Sequence, residues 1–409
     1  MSNGSPSTGK VVTTSLIVTG NMLGAGILAL PIDLGPAGLL TSVLGLLGVW
    51  ALMTCNALII ARQPFLAQNR DADLPTFFEV VLGPVGKWVS VAANLVIFYG
   101  LLTAYLAGAA SVLVGSLGLA VPGWAALVGY FCIATLFASF GDVVLRKGAT
   151  VFMTVMWLLF AAMVVMVVPH FEGHGARGVD LVFFTSALPI LVVAFNFHNV
   201  IPTVCRVLDH DRRSITRAIW LGSSLGMVMT FIWTLAVLMT LPMESANSVD
   251  IISAFSHNEP ATVPLGRLIA TRVFLDVSVA FAVVAMTTAY MATGVAMLSF
   301  LRDVGGRLGK NRLVVWLVAF VPPLVVGALY PDIFIDALNV VGGLGVGSLF
   351  GILPGLLLIR QGAPGSRRRL AGWGIVCFFS VVLLVELAQM TGLVHITPDI
   401  EYWNARQGQ

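Results

Sequence analysis

Apolar residues gather into eleven long runs along this chain, and polar residues are confined to short joints between them. The runs lie at 11–32, 37–61, 88–117, 121–141, 149–168, 181–205, 217–241, 269–300, 312–330, 333–359 and 371–394. A helix needs about 20 apolar residues to cross the hydrocarbon of a bilayer. The pattern therefore predicts an all-α integral membrane protein with eleven transmembrane helices, numbered below as spans 1 to 11. Spans 3, 8 and 10 are long enough to tilt or project beyond the bilayer. Two joints carry their own pattern. Residues 72–87 alternate apolar and polar positions, which predicts an amphipathic helix along the interface. Residues 242–268 contain Ile251-Ile252-Ser253-Ala254-Phe255 between Asn, Ser and Pro, a segment open to two readings, a short helical lid or a passive loop.

Composition and charge fix the solvent and the orientation. Hydrophobic residues make up 58% and charged residues 10%, with mean hydropathy +0.96. A water-soluble domain carries about a quarter charged residues, so lipid is the expected solvent here. Of the 22 Lys and Arg residues, all but Arg177, Arg267, Arg272 and Arg406 fall on one side once the spans are threaded. Positive charge near span ends resists translocation. The N-terminus is therefore expected in the cytoplasm and the C-terminus outside, in a bacterial inner membrane. The net charge of +3 comes from the cytoplasmic joints. No basic stripe suggests nucleic acid as a partner. Cys55, Cys132, Cys205 and Cys377 lie in or at the ends of apolar runs without metal spacing, and small apolar packing is their expected role. Residues 1–10 read as a cytoplasmic tail, and the glycine-broken run after them as span 1 rather than a cleaved signal.

A weak internal symmetry organises the rest. Span 1 carries Gly20-Asn21-Met22-Leu23-Gly24-Ala25-Gly26, and span 6 carries Phe195-Asn196-Phe197-His198-Asn199 before Pro202. Glycine loosens helical backbone, and proline cannot donate to the preceding turn. Spans 1 and 6 are five apart and so cross in opposite directions. Interrupted helices at matching places in inverted halves point to a secondary transporter. The halves are 11–168 and 181–359, followed by span 11 and an external tail over 395–409. A break leaves unpaired backbone groups, tolerable in lipid only beside a polar cavity. The N–H groups around Gly24, Ala25 and Gly26 suit a carboxylate. Carbonyls near Thr19, Gly20, Ala194 and Phe195 suit an ammonium group. The competing reading of one such glycine run is close helix packing.

Several segments resemble a known family. Thr19–Pro31, TGNMLGAGILALP, resembles the first-helix signature of the bacterial aromatic amino-acid permeases, the tryptophan/tyrosine permease group of the amino acid–polyamine–organocation superfamily. Phe195–Pro202, FNFHNVIP, resembles the sixth-helix pattern, Phe281–Asp303 the eighth helix, and Val321–Pro354 the ninth and tenth. The resemblance implies a leucine-transporter type fold with a 5+5 inverted repeat and broken helices 1 and 6. It also implies ion-coupled amino-acid symport by alternating access. Asn196 departs from the glycine more usual there. Asn21 instead resembles the sodium-coupled neutral amino-acid transporters of the same superfamily.

Candidate site residues follow. Substrate binding is expected from Gly20, Asn21, Gly24, Ala25, Gly26, Tyr99, Phe195, Asn196, Phe197 and Tyr290. Asn94 and Tyr105 are further pocket candidates on span 3. Aromatic rings stack on an aromatic ligand, although rings at helical spacing also serve plain packing. His198, alone among histidines inside a span, reads either as a proton carrier or substrate donor, or as a neutral pin for the span 6 break. Thr287 and Thr288, with Asn21, complete a sodium cage in one reading and bond back to their own helix in the other. Glu386 is expected protonated or paired at a subunit contact, and Asp33 and Asp276 hydrated at outer span ends. His170, Glu172 and His174 in a Gly-rich loop do not suggest zinc. No catalytic, phosphate-binding or metal motif suggests an enzyme, and no cofactor is expected. The leading reading is a proton-coupled symporter importing tryptophan, tyrosine or phenylalanine. The alternatives are sodium coupling, a carrier of serine, threonine or other neutral amino acids, and a channel or sensor with a transporter-like core.

Overall fold

The computed structural model describes residues 6–65, 74–117, 121–139, 141–173, 180–306, 308–394, 396 and 403, and every element among them is helical. Among the described residues nine helices are long and apolar enough to cross a membrane, and the bent pair Thr8–Met22 and Ala25–Ala37 makes a tenth. These ten fill predicted spans 1 to 3 and 5 to 11. Span 4 is the shorter apolar helix Gly123–Ser139.

The two breaks differ. Span 1 turns by 52° between its halves. The half expected on the inner side, Thr8–Met22 (the inner half), ends at Leu23, and the half expected on the outer side, Ala25–Leu34 (the outer half), starts after Gly24 in extended conformation. Span 6 unwinds over Phe195–Phe197 between Leu188–Ala194 and Ile201–Val207, with a 3-10 turn at His198–Val200. Its halves are not bent past 40°. Pro202 lies in the first turn of the outgoing helix, where a missing N–H costs nothing, so it starts that helix rather than breaking the one before.

Span 10 holds an element that hydropathy does not mark. Phe334–Val340 leads into the π-helical Val341–Ile352 and then Leu353–Gln361. Its glycines admit neighbours: a side chain at Gly342 would strike the Pro189 carbonyl of span 6, and one at Gly351 the Phe379 ring of span 11. Span 5 begins at Gly141, so Arg146 and Lys147 lie within its early turns rather than in a joint.

The amphipathic stretch forms Leu74–Leu82, burying Leu74, Pro75, Phe77 and Phe78; residues 72 and 73 lie outside the described residues. Gly83, at φ +86°, supplies the left-handed turn before Pro84 starts span 3. The joint at 242–268 is helical, with Ile251–Ser256 and Thr262–Ile269 both packed into the core. Its Ala261 N–H donates to the Leu28 carbonyl at 2.9 Å, tying this lid to the outer half of span 1. Of the cysteines, only Cys205 is buried; Cys55, Cys132 and Cys377 face outward. Asp276 is exposed beside Arg272, as its span-end position suggests. Asp33 corrects the expectation of a hydrated residue: it is 1% exposed.

Candidate functional site

The bend of span 1 borders a cavity of about 780 Å³. Gly24 precedes Ala25–Leu34 without a side-chain cap. The first N–H groups of a helix have no partner within it, so their positive end faces this space. Two glycines there are set by close approach. A Cβ at Gly26 would stand 3.0 Å from the Ala194 Cα of span 6, and one at Gly24 would stand 3.3 Å from the Tyr105 hydroxyl of span 3. Thr19 anchors the inner half through its hydroxyl, which donates to the Gly222 carbonyl of span 7 at 2.9 Å.

Gly20, Asn21, Gly24, Ala25, Gly26, Asn196 and Thr288 all line the cavity. Asn196 brings a buried amide oxygen without a partner. Thr288 donates to its own helix, at 2.8 Å to the Val284 carbonyl and 3.0 Å to that of Ala285. Other candidates stand elsewhere. Tyr99 donates to the Val318 carbonyl at 2.8 Å. Tyr290 pairs with Thr135 at 2.8 Å and stacks on Phe320. Thr287 pairs with Tyr130 at 3.1 Å. Phe195 and Phe197 are buried in the core. Asn94 donates to the Ser90 carbonyl at 2.8 Å. His198 is fully buried, stacked between Phe197 and Phe350 with ring centroids 4.9 Å from each. Its Nε2 lies 2.9 Å from the Met53 carbonyl, and Nδ1 has no partner.

The aromatic and apolar wall comes from places that the helix-break logic did not reach. Tyr105 and Leu101 of span 3 face Met153, Thr154 and Trp157 of span 5. Thr293 of span 8 lines the cavity with Tyr105. Asn199, just past the span 6 break, adds a second amide. The spacing of Met153 and Trp157, four apart, puts both on one helix face and was legible in the sequence; which face meets the cavity was not.

The arrangement offers helix-end N–H groups for a carboxylate, amides and free carbonyls for an ammonium, and an aromatic-lined wall for a side chain. A family model for the tryptophan/tyrosine permease family matches residues 7–393. The chain belongs to that family. The permease is 28% identical to tyrosine-specific transport system 1 of Haemophilus influenzae, over 81% of this chain and 84% of that one. It is 24% identical to the tryptophan-specific transport protein of the same organism, over 91% and 94% of the two chains. Glutamine transporter 2 of Aliivibrio fischeri is 23% identical over 81% and 84%. Among solved structures, the Eremococcus coleocola manganese transporter superposes with TM-score 0.58 at 16% identity, covering 94% of this chain and 86% of that one, a likeness of fold alone. The permease is thus a multi-pass membrane transport protein for small amino-acid substrates, and not an enzyme.

Proposed function

We propose that the permease is a secondary active symporter that imports aromatic amino acids with protons by alternating access across the bacterial inner membrane. The observation that carries this reading is the cavity at the span 1 bend, which joins the uncapped helix start at Gly24–Gly26 to a wall bearing Trp157 and Tyr105. The α-carboxylate of the substrate sits at the N–H groups of Ala25 and Gly26. Its ammonium sits by the last carbonyls of the inner half, near Gly20 and Asn21. The ring of the substrate lies against Trp157, Met153 and Leu101. The relatives named for tyrosine and tryptophan support this substrate class. Uptake of labelled tyrosine with unlabelled competitors tests it. Competition by tryptophan and phenylalanine but not glutamine is expected, and competition by glutamine alone contradicts it.

In this reading spans 1–5 and 6–10 are the two inverted halves of a leucine-transporter type fold of eleven helices. Two long-range contacts support the threading. Lys10 of the N-terminal segment pairs with Asp209 in the joint after span 6, at 2.7 Å. Trp403 near the C-terminus donates to Glu244 in the joint after span 7, at 3.3 Å. Those two joints lie on opposite sides, as eleven crossings require. His198 serves as the pin of the span 6 break, because its ring is sandwiched and its hydrogen bond is to backbone. Protons are preferred to sodium because Thr288 directs its hydroxyl into its own helix and Thr287 pairs with Tyr130.

A further inference from the structure

A second polar cluster lies apart from the cavity. Asp33, at the last turn of the outer half of span 1, is 1% exposed and accepts a 2.8 Å hydrogen bond from the Asn339 amide nitrogen of span 10. Asn339 is itself 8% exposed, and its amide oxygen has no partner. Glu386 of span 11 is 5% exposed. It packs on Gly343, one turn beyond Asn339: a Cβ on that glycine would stand 2.7 Å from the Glu386 Cβ and 3.6 Å from the Pro189 Cβ. Asp336, one turn before Asn339, is exposed and accepts from the Asn258 amide of the lid at 3.2 Å. None of these residues lines the cavity.

Among the described residues no cation pairs with the cluster. The ion pairs among the described residues are Lys10–Asp209, Lys87–Glu79, Arg267–Glu259 and Arg272–Asp276, all elsewhere. Of the elements packed on the outer half of span 1, the first half of span 6, LPILVVA, has no ionisable residue. Span 7 keeps its own at its cytoplasmic start, Arg212 to Arg217. Span 3 offers Tyr105, which lines the cavity, and span 8 has Tyr290 bonded to Thr135. From the lid, Asp250 is taken up by the N–H groups of Ser245 and Ser253, and the His257 ring bonds the Ser253 carbonyl.

We propose that Asp33, paired with Asn339, is the site that takes up the transported proton. This rests on the proton-coupled reading above. An uncompensated buried carboxylate costs several kcal/mol, and a proton is the smallest ligand that removes the charge. Protonated Asp33 carries an O–H, and the Asn339 oxygen is an acceptor left over. The Asn339 N–H already donates to the other side, so the proton closes an acid–amide pair with two hydrogen bonds. A sodium ion in the same place would meet that N–H donor, which disfavours it. Asp336, exposed and one turn from Asn339, marks the entry from the lid side. Asp33 and Gly26 share one helix, seven residues and about 10 Å apart. Loading the acid–amide pair fixes the outer half of span 1 against span 10, while the other end of the same helix holds the substrate carboxylate.

The test is Asp33→Asn in proteoliposomes, with Glu386→Gln beside it. Wild-type protein under an inward gradient of one pH unit should accumulate tyrosine up to about tenfold per proton carried. Asp33→Asn should bring internal tyrosine only level with external tyrosine, yet keep exchange of labelled for unlabelled tyrosine. Glu386→Gln should still accumulate. Accumulation kept by Asp33→Asn, or lost only in Glu386→Gln, overturns the assignment. Wild-type exchange with no response to the pH gradient overturns the coupling itself, which separates the two failures. Should Asp33→Asn not fold, infrared spectroscopy of the wild type and Asn339→Ala reads the site directly. A protonated carboxyl band at neutral pH that shifts in Asn339→Ala is expected, and its absence contradicts the proposal.

Discussion

Gly26 faces the Ala194 Cα of span 6 so closely that a Cβ would stand 3.0 Å away. Backbone cannot yield as a side-chain tip can, so Gly26→Val should push the outer half of span 1 off span 6. Uptake should be lost while the protein still reaches the membrane, read by transport against surface labelling. Unchanged substrate affinity in that variant would remove the helix start from the site. Tyr105 makes a milder test. Its hydroxyl lies over Gly24 and Tyr105 lines the cavity, where one hydrogen bond from it to the substrate is worth about 1 kcal/mol. Tyr105→Phe should raise KM by about fivefold with little change in expression; no change in KM places the hydroxyl outside substrate reach. His198 sits between Phe197 and Phe350 with its Nε2 on the Met53 carbonyl. His198→Gln should lower the melting temperature in detergent yet leave pH-driven accumulation intact. Residue types alone left that histidine's two roles open, because ring stacking and the Met53 partner belong to the folded core.

The breaks were legible as elements, but their shapes were not. Gly20 to Gly26 announces an interruption, and the 52° turn falls within it. Pro202 looks like a breaker in sequence and is a helix starter in the fold, because Phe195 to Phe197 have already unwound the chain. The π-helical Val341–Ile352 reads from hydropathy as one more apolar run. Its glycines matter through what lies opposite them, which a single sequence does not display. Gly342→Ala would press on the Pro189 carbonyl of the outer half of span 6. Overpacking of this kind costs about 1–3 kcal/mol, so this variant should unfold at lower temperature in detergent than Gly48→Ala, whose added Cβ meets nothing. Equal melting of the two would show that spans 6 and 10 are not locked there. The lid was an even choice from sequence. Its helices are fixed by burial of Ile251, Phe255 and Leu265 against the core, beyond what a polar-flanked IISAF declares.

For the permease as a whole, the apolar runs predict where the helices lie: among the described residues ten of the eleven runs are membrane-length helices and span 4 is the shorter Gly123–Ser139. The cavity was half legible. Asn21, Gly24 and Asn196 follow from the broken spans, whereas Trp157 and Met153 enter through the packing of span 5 beside span 1. Asp33 looked like a hydrated span end because eight apolar residues precede it in its helix; the lid and span 10 bury it. The central claim is coupled transport of aromatic amino acids through the span 1 bend. Its most direct test is counterflow and net uptake of labelled Trp, Tyr, Phe and Ser in proteoliposomes, with pH and sodium gradients imposed separately. The account predicts exchange of the three aromatic substrates but not serine, and accumulation driven by the pH gradient alone. Accumulation that follows sodium and ignores pH, or exchange of serine in preference to tyrosine, would contradict it.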